Sequence, residues 1–169
     1  MDNLICVRGF TPVIGSDSFI SQTALIIGDV ITGNQCSFWF NAVIRGDVNS
    51  IRIGDFTNIQ DGAVIHSTFE KTITIIGNYV SVGHNAIVHG CKIGNYVLVG
   101  MGAIVMDGAI IEDYCIIAAG AVILERTVCE SGYLFAGVPA RKIKLLTPQQ
   151  RLLLEKTPIN YVLYSSWFT

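Results

Sequence analysis

The hydrophobic positions of this chain recur every six residues between Ile14 and Ile123. Ile or Val opens sixteen of eighteen successive hexads, and Thr32 and Phe38 open the other two. The sixteen are Ile14, Ile20, Ile26, Ile44, Ile53, Ile59, Ile65, Ile76, Val82, Val88, Ile93, Val99, Val105, Ile111, Ile117 and Ile123. Four residues further on, the position is usually small or β-branched, so we expect both positions to face inward. A helix needs apolar residues at spacings of three and four, so this period predicts short strands joined by tight corners.

Hexapeptide repeats of this kind are typical of a parallel β-helix, in which short strands complete each coil and coils stack about 4.8 Å apart. Three hexads per coil predict an all-β chain of about six triangular coils. Two insertions, Ser50–Arg52 and Lys71–Ile75, break the period, and we expect both to be loops. One residue is missing between Val88 and Lys92, directly beside His89. Loops on a regular scaffold commonly carry functional residues.

The hexads stop before the C-terminus, which predicts a β-helix domain over residues 1–144 and a helical segment over residues 145–169 that packs on it. The segment Thr147-Pro148-Gln149-Gln150 combines an N-cap, a proline suited to the first helical position and a capping box. Pro158 is expected to end or kink this helix. A second short helical stretch is then predicted up to Trp167.

Composition narrows the function classes. Hydrophobic residues make up 51% of the chain and charged residues 14%, which is typical of a compact, buried chain. The net charge is −2 and no Lys/Arg run is present, which argues against a nucleic-acid partner or a membrane surface. No apolar run reaches the roughly 20 residues of a membrane span, and the N-terminus lacks a secretory signal, so we expect a cytoplasmic protein. Five scattered cysteines indicate reduced thiols.

The three histidines of the chain, His66, His84 and His89, lie within twenty-four residues. Three imidazoles form the ligand set of several catalytic zinc sites. His66 and His89 are both second residues of hexads that lie three apart, so they share a face in adjacent coils, about 5 Å apart. His84 is the third residue of an earlier hexad and belongs to the preceding face. One subunit cannot easily bring all three nitrogens within about 2.1 Å of one ion, whereas a three-fold homo-oligomer supplies His84 from a neighbour.

The same register places Arg45 one coil below His66, and Asp61 one coil below His84. An Arg–Asp pair across the subunit interface would then hold the subunits in register beside the metal. Two further polar residues lie nearby by the same reasoning, Gln60 and Asp47. Cys91 lies two residues after His89, and a fourth ligand or a small buried thiol are its two interpretations. For the histidines taken singly, ordinary surface or core roles are the alternative.

Three segments of the chain closely resemble gamma-class carbonic anhydrases and their gamma-carbonic-anhydrase-like relatives. They are RGDVNSIRIGDFTNIQDGAVIH (45–66), VGHNAIVHGC (82–91) and AGVPARKI (136–143). The resemblance covers nearly the whole chain and implies a left-handed parallel β-helix. In that family the residues matching His66 and His89 come from one subunit and the residue matching His84 from the adjacent one. The resemblance therefore implies a homotrimer with three interfacial metal ions, zinc or, in some members, iron or another divalent metal.

The chemistry implied by the resemblance is the reversible hydration of CO2 to bicarbonate by a metal-bound hydroxide, a lyase reaction on a small-molecule substrate. Gln60 would orient water or the developing bicarbonate, and Arg45 with Asp61 would hold the site.

The sequence departs from the family pattern in its proton-relay glutamates. Val48 stands at the first of those positions, and the loop after His66 carries a single acid, Glu70. Glu70 is a candidate substitute relay, with an ordinary solvated side chain as the alternative. The resemblance therefore implies metal binding more directly than it implies rapid turnover.

Two other functions fit the sequence. Hexapeptide acyltransferases share the GVPA segment, and in that class a histidine acts as general base on an acyl-CoA, with acyl-CoA thioester hydrolysis as a variant. A non-catalytic scaffold, in which the metal links the subunits of a trimer, is the other alternative. The set Arg45, Gln60 and Asp61 favours the anhydrase-like interpretation over acyl transfer.

Overall fold

The computed structural model describes residues 3–168 and is a parallel β-helix with one helix packed along its side. Most strands contain two or three residues, because each runs only to the next corner of the coil. In this part of the chain the strands are β1 (Leu4–Ile5), β2 (Phe19–Ile20), β3 (Leu25–Thr32), β4 (Ser37–Phe38), β5 (Val43–Ile53), β6 (Asn58–Ile59), β7 (Val64–His66), β8 (Thr74–Ile76), β9 (Ser81–Val82), β10 (Ile87–His89), β11 (Lys92–Ile93), β12 (Leu98–Val99), β13 (Ile104–Val105), β14 (Ile110–Ile111), β15 (Ile116–Ile117), β16 (Val122–Ile123), β17 (Val128–Cys129), β18 (Tyr133–Gly137) and β19 (Ala140–Leu145). Helix α1 (Pro148–Ser165) and a 3-10 turn, Ser166–Phe168, follow.

Strand pairing sorts these strands into three faces. The histidine face consists of β1, the first halves of β3 and β5, and β7, β10, β13 and β16. The helix face consists of β2, β4, β6, β9, β12, β15 and β18, and β19 extends this sheet by pairing antiparallel with β18. The third face consists of the second halves of β3 and β5, and β8, β11, β14 and β17. The described coil makes about seven turns instead of the predicted six, because β1 adds a strand before the first hexad and β17 and β18 add strands after the last one.

The opening residues of the hexads form the core, as the period predicts. On the histidine face Ile26, Ile44, Ile65 and Val88 are paired in successive coils and fully buried. The small residues at the inward corner positions, such as Ala63, are also fully buried. Because side chains alternate between the two sides of a strand, the residues that flank these core positions point outward. This alternation places the second residue of each hexad on the outer surface.

The first interruption is not a loop, so the prediction for Ser50–Arg52 is wrong. Strand β5 runs unbroken through it, and the register with β3 shifts so that Asp47–Ser50 lie opposite Asp29 alone. Ser50 donates a hydrogen bond to the Asp29 carboxylate at 2.5 Å, and Arg52 forms an ion pair with the same carboxylate at 2.8 Å. The extra residues therefore form a bulge within a strand that turns the corner between two faces.

The second interruption is a loop, as predicted, but it occupies residues 67–73 because β8 begins at Thr74. Buried hydroxyls join its two ends: the Ser67 and Thr74 oxygens lie 2.9 Å apart. Thr74 donates to the carbonyl of His66 at 2.6 Å and accepts from the backbone N–H of Gly90 at 3.0 Å. The loop is thereby tied to both histidine-bearing strands.

Helix α1 begins with the predicted capping box: Thr147 and Gln150 exchange hydrogen bonds between side chain and backbone. Pro158 does not end the helix, which continues to Ser165, so the predicted second stretch is the end of α1 followed by the 3-10 turn Ser166–Phe168. The turns beyond Pro158 are held by packing on the helix face, where the ring of Tyr161 meets Trp39 edge-on at 5.4 Å. No helix among residues 3–168 has the length and apolarity needed to cross a membrane.

Candidate metal centre

His66 and His89 lie side by side on the histidine face, as the hexad register predicts. They are paired residues of β7 and β10 in adjacent coils. Nδ1 of His66 is 3.1 Å from Nε2 of His89, and the ring centroids are 5.1 Å apart. Two ligands of a tetrahedral zinc ion, at about 2.1 Å each, are separated by about 3.4 Å. The pair therefore has nearly the spacing of two ligands to one ion.

Each of these two imidazoles is bound by a carboxylate through its other ring nitrogen. Nε2 of His66 is 3.1 Å from Oδ1 of Asp47, and Nδ1 of His89 is 2.5 Å from Oδ1 of Asp107. A carboxylate only accepts hydrogen bonds, so each ring nitrogen that contacts one carries the proton. When both rings are neutral, the two nitrogens that face each other at 3.1 Å are both acceptors. A cation between them satisfies both lone pairs, and carboxylate-bound imidazoles are the usual arrangement at metal sites.

The pKa directions agree with this arrangement. Burial lowers the pKa of His66, which favours the neutral imidazole that a metal requires. Burial tends to raise the pKa of Asp47, but hydrogen bonds from Arg45 and His66 outweigh it and hold that pKa below its usual value. Burial also tends to raise the pKa of Asp107, but hydrogen bonds from Thr68 and His89 outweigh it and hold that pKa below its usual value. Both aspartates therefore remain ionised beside their histidines.

His84 does not meet this pair within the chain. It lies in the turn after β9, at the corner between the helix face and the histidine face. Its Nδ1 is 2.9 Å from Oδ2 of Asp61, which lies directly below it in the previous coil, and the two side chains are 37% and 42% exposed. Within residues 3–168 no group of three or more His, Cys, Asp or Glu side chains is close enough to hold a metal ion. All three histidines nonetheless share one feature: one ring nitrogen of each contacts an aspartate carboxylate.

Arg45 lies on the same outward column as His66, since the preceding Ile44 pairs with Ile65. Its guanidinium forms an ion pair with Asp47 at 2.5 Å and is 42% exposed. Within the chain Arg45 therefore contacts Asp47, whereas Asp61 contacts His84. Asp47 connects Arg45 to His66, which places this predicted supporting residue directly beside the pair.

Gln60 is almost completely buried, at 4% exposure, on the outward side of the helix face. Its amide nitrogen donates to Asn58 at 3.0 Å, and the amide of Asn58 in turn donates to the hydroxyl of Ser81 at 2.8 Å. These contacts fix which way the Gln60 amide points and leave its oxygen as the free group. The two supporting residues, Asn58 and Ser81, carry no signal in the sequence pattern beyond being polar at strand positions.

A mainly apolar cavity of about 340 Å³ lies between the helix face and α1. Gln60 and Gly83 line one side of it, next to His84 along the chain, and Tyr161 and Leu153 of α1 line the other. Burial, followed by the nearby charge of Asp61, raises the pKa of Tyr161, so its hydroxyl stays protonated at neutral pH. The cavity is therefore lined by the Gln60 amide on one side and by apolar side chains on the other, and it lies next to His84 along the chain.

The loop after His66 contributes a residue other than the one expected. Glu70 is exposed in a turn and, among the described residues, makes no hydrogen bond or ion pair with a histidine. Thr68 instead donates a hydrogen bond to Oδ2 of Asp107. Sequence reasoning missed both Thr68 and Asp107. Asp107 follows Met106 in the hexad of Val105, which lies one coil above the hexad of His89, so hexad register was the signal that could have indicated it.

Cys91 is a small buried thiol, the second of the two interpretations given for it. Its side chain is 1% exposed and belongs to the hydrophobic core, away from the outer surface that carries His89. Burial raises the pKa of its thiol to about 12. The other cysteines in the described chain are also free, and only Cys6 is exposed.

The outer surface of the histidine face is largely apolar around the pair. One outward column, in register through six coils, consists of Leu25, Val43, Val64, Ile87, Ile104 and Val122. Leu25 and Ile87 are each 37% exposed, and Leu124 on the same face is 46% exposed. The helix face, in contrast, is covered by α1. A contiguous apolar surface of this kind is typical of a protein–protein contact.

Comparison with known proteins identifies similar sequences and structures. The family described as "Bacterial transferase hexapeptide (six repeats)" matches residues 90–125. The chain is 40% identical to a carbonic anhydrase of Geobacillus kaustophilus over 92% of this chain and 85% of that protein. It is 37% identical to the mitochondrial gamma carbonic anhydrase 1 of Arabidopsis thaliana over 89% of this chain, but it spans only 56% of that relative's length. The chain also superposes on the crystal structure of a hexapeptide transferase family protein from Anaplasma phagocytophilum with a TM-score of 0.95. The two are 40% identical, and the match covers 99% of this chain and 99% of that one.

Proposed function

The chain belongs to the gamma-carbonic-anhydrase-like family of hexapeptide-repeat proteins, and we propose that it is a metal-dependent lyase that hydrates CO2 to bicarbonate. The active form is a homotrimer with one zinc site at each of its three interfaces. His66 and His89 of one subunit and His84 of the partner subunit are the ligands. The observation that carries this proposal is the facing pair of ring nitrogens, 3.1 Å apart, whose other nitrogens are held by carboxylates.

The positions of the three histidines support the proposed trimer. The pair lies on an outward apolar face, and His84 lies at a corner where its Nε2 is turned away from its own aspartate. A heterologous contact brings the corner of one copy against the histidine face of the next and closes into a ring. The apolar column beside the pair is then buried. Arg45 reaches Asp61 of the partner subunit in the same contact and adds a charged pair at the edge of the site.

Held by these three histidines, zinc would supply a hydroxide at neutral pH, because the ion would lower the pKa of a bound water to about 7. Residues of the chain orient the ligands and the substrate. Asp47 and Asp107 hold the rings of His66 and His89 in the tautomer that directs a lone pair to the ion. Gln60 offers its amide oxygen to a hydroxyl proton, since its amide nitrogen is already used by Asn58. The apolar wall formed with α1 suits uncharged CO2.

Mixed trimers test whether the site is shared between subunits. We expect His84→Ala trimers and His66→Ala/His89→Ala trimers to bind no zinc and to show no CO2 hydration. When the two variants are coexpressed and assemble at random, a site is intact only where a chain with the pair meets a chain with His84. This arrangement occurs at about one quarter of interfaces, so zinc content and activity should return to about a quarter of the parent values.

Zinc is measured by mass spectrometry and CO2 hydration by stopped flow. Mixed trimers that stay without zinc, while the parent binds it, would mean that all three ligands act within one subunit, whereas zinc in the His84→Ala trimers would mean that His84 is not a ligand. A zinc-loaded parent without CO2 hydration would reject the catalytic part of the proposal and leave a structural role for the ion.

Acyl transfer or thioester hydrolysis on acyl-CoA is the second candidate, because the 340 Å³ cavity beside Gln60 is much larger than CO2 and mostly apolar. The Anaplasma relative carries a transferase family name. If this function holds, acetyl-CoA and butyryl-CoA should bind saturably and release free thiol. A Leu153→Trp variant, which fills the cavity, should then weaken thioester binding and leave zinc content unchanged. Absence of binding at millimolar acyl-CoA would reject this candidate.

A further inference from the structure

We infer that Asp107 and Thr68 are positioning residues for the metal: they fix the tautomer and orientation of His89, and the loop after His66 exists to deliver Thr68 to this contact. The inference rests on the proposed zinc site. It assigns the loop a role in metal affinity in place of proton transfer.

The contact is built from both sides of Asp107. One carboxylate oxygen accepts a hydrogen bond from Nδ1 of His89 at 2.5 Å, and the other accepts a hydrogen bond from the hydroxyl of Thr68. Each oxygen therefore has its own donor, and the plane of the carboxylate is fixed relative to the imidazole.

The backbone beside His89 leaves space for this arrangement. Gly90 has φ +56°, and a Cβ there would lie 2.2 Å from Oδ1 of Asp107 and 2.3 Å from the hydroxyl oxygen of Thr72. Any side chain at position 90 would therefore displace the carboxylate from His89. The glycine that follows His89 therefore allows the close approach of Asp107.

The loop holds Thr68 by its own hydrogen bonds. The backbone N–H of Thr68 donates to the hydroxyl of Thr72 at 3.0 Å, and the carbonyl of Thr68 accepts from the backbone of Lys71 and Thr72 at 3.2 Å each. Buried Thr74 then joins the loop to the backbone of His66 and Gly90. The short loop is thus a rigid link between the two coils that carry the histidine pair.

Loss of the carboxylate changes which nitrogen of His89 carries the proton. An aspartate accepts only, so it keeps the proton on Nδ1 and the lone pair on Nε2, which faces His66. An asparagine can donate its amide N–H to Nδ1 and thereby favour the opposite tautomer, with a hydrogen on Nε2 where the metal binds. Loss of a carboxylate that hydrogen-bonds a ligating histidine typically weakens metal binding by about 10- to 100-fold.

Zinc affinity of the full trimer tests the inference, measured by competition with a chromophoric chelator. Asp107→Asn and Thr68→Val should each weaken zinc binding at least about 10-fold. The double variant should lose little more than Asp107→Asn alone, because both act through one contact. Thr68→Ser keeps the hydroxyl and should bind zinc as the parent does. Asp113→Asn is the matched control, since Asp113 accepts a backbone hydrogen bond from Asn95 at a corner remote from the histidines.

A second readout does not need the metal. In metal-free trimers, ¹⁵N NMR of the imidazoles should show His89 with its proton on Nδ1 in the parent and in Thr68→Ser, and a shift toward the Nε2–H tautomer in Asp107→Asn. Parent-like zinc affinity and parent-like His89 tautomer in both Asp107→Asn and Thr68→Val would overturn the inference. A parent that binds no zinc refutes the proposed function, and the tautomer measurement then still decides whether Asp107 positions His89.

Discussion

His84→Ala is expected to give a folded protein that binds no zinc, hydrates no CO2 and loses the stabilisation that zinc gives the parent. The side chain lies in an exposed turn with Asp61 as its partner, so its removal leaves the core of the subunit intact. Zinc present at about 1,000 times its Kd stabilises a folded protein by about 4 kcal/mol. Thermal unfolding should therefore distinguish zinc-loaded parent from zinc-loaded His84→Ala, but not the two metal-free proteins.

Three measurements on the same samples separate the possible roles of His84. Zinc content reports ligation, sedimentation reports assembly and stopped flow reports turnover. If His84→Ala keeps one zinc per subunit, His84 is not a ligand and the interfacial site is wrong. If its trimers persist at an unchanged melting temperature in zinc, the ion does not hold the subunits together.

Ile65→Ala is expected to lower the free energy of unfolding by about 2–5 kcal/mol. Ile65 is fully buried between Ile44 and Val88 of the neighbouring coils, and it precedes His66 on β7. The coils stack through fixed strand pairing, so they have little freedom to close the cavity that the smaller side chain leaves. The backbone under His66 should also loosen, and zinc affinity should fall with stability.

Denaturant unfolding of metal-free protein measures this effect, with Ile65→Val as the graded control at about 0.5–1.5 kcal/mol. An Ile65→Ala variant within about 0.5 kcal/mol of the parent would mean that the coil relaxes around the cavity, contrary to the packing described above.

The repeat period predicted much of the fold and, within the candidate site, the pairing of His66 with His89. Because each hexad forms one side of a coil, counting positions was enough to pair His66 with His89 in adjacent coils. Counting failed where the chain leaves the repeat. The bulge Asp47–Ser50 stays within β5 because Ser50 and Arg52 find a partner in Asp29, a tertiary contact that the period does not contain.

The same difference explains the C-terminal helix. Thr147 and Gln150 form the predicted cap because a capping box depends only on residues within one turn. Pro158 was expected to end or kink the helix for an equally local reason, the missing N–H. Packing of Tyr161 against Trp39 outweighs the loss of that one hydrogen bond, and only the folded chain brings these two rings together.

The sequence by itself determined the coil, its inward columns and the place of each histidine on a face, because these follow from a period that repeats along the chain. Only the tertiary structure decided which carboxylate binds each ring, that Arg45 contacts Asp47 within the chain and that Thr68 reaches Asp107. The period fixes where each backbone position lies, but the direction of an outward side chain depends on loop geometry and on neighbours distant in sequence, which the period does not encode.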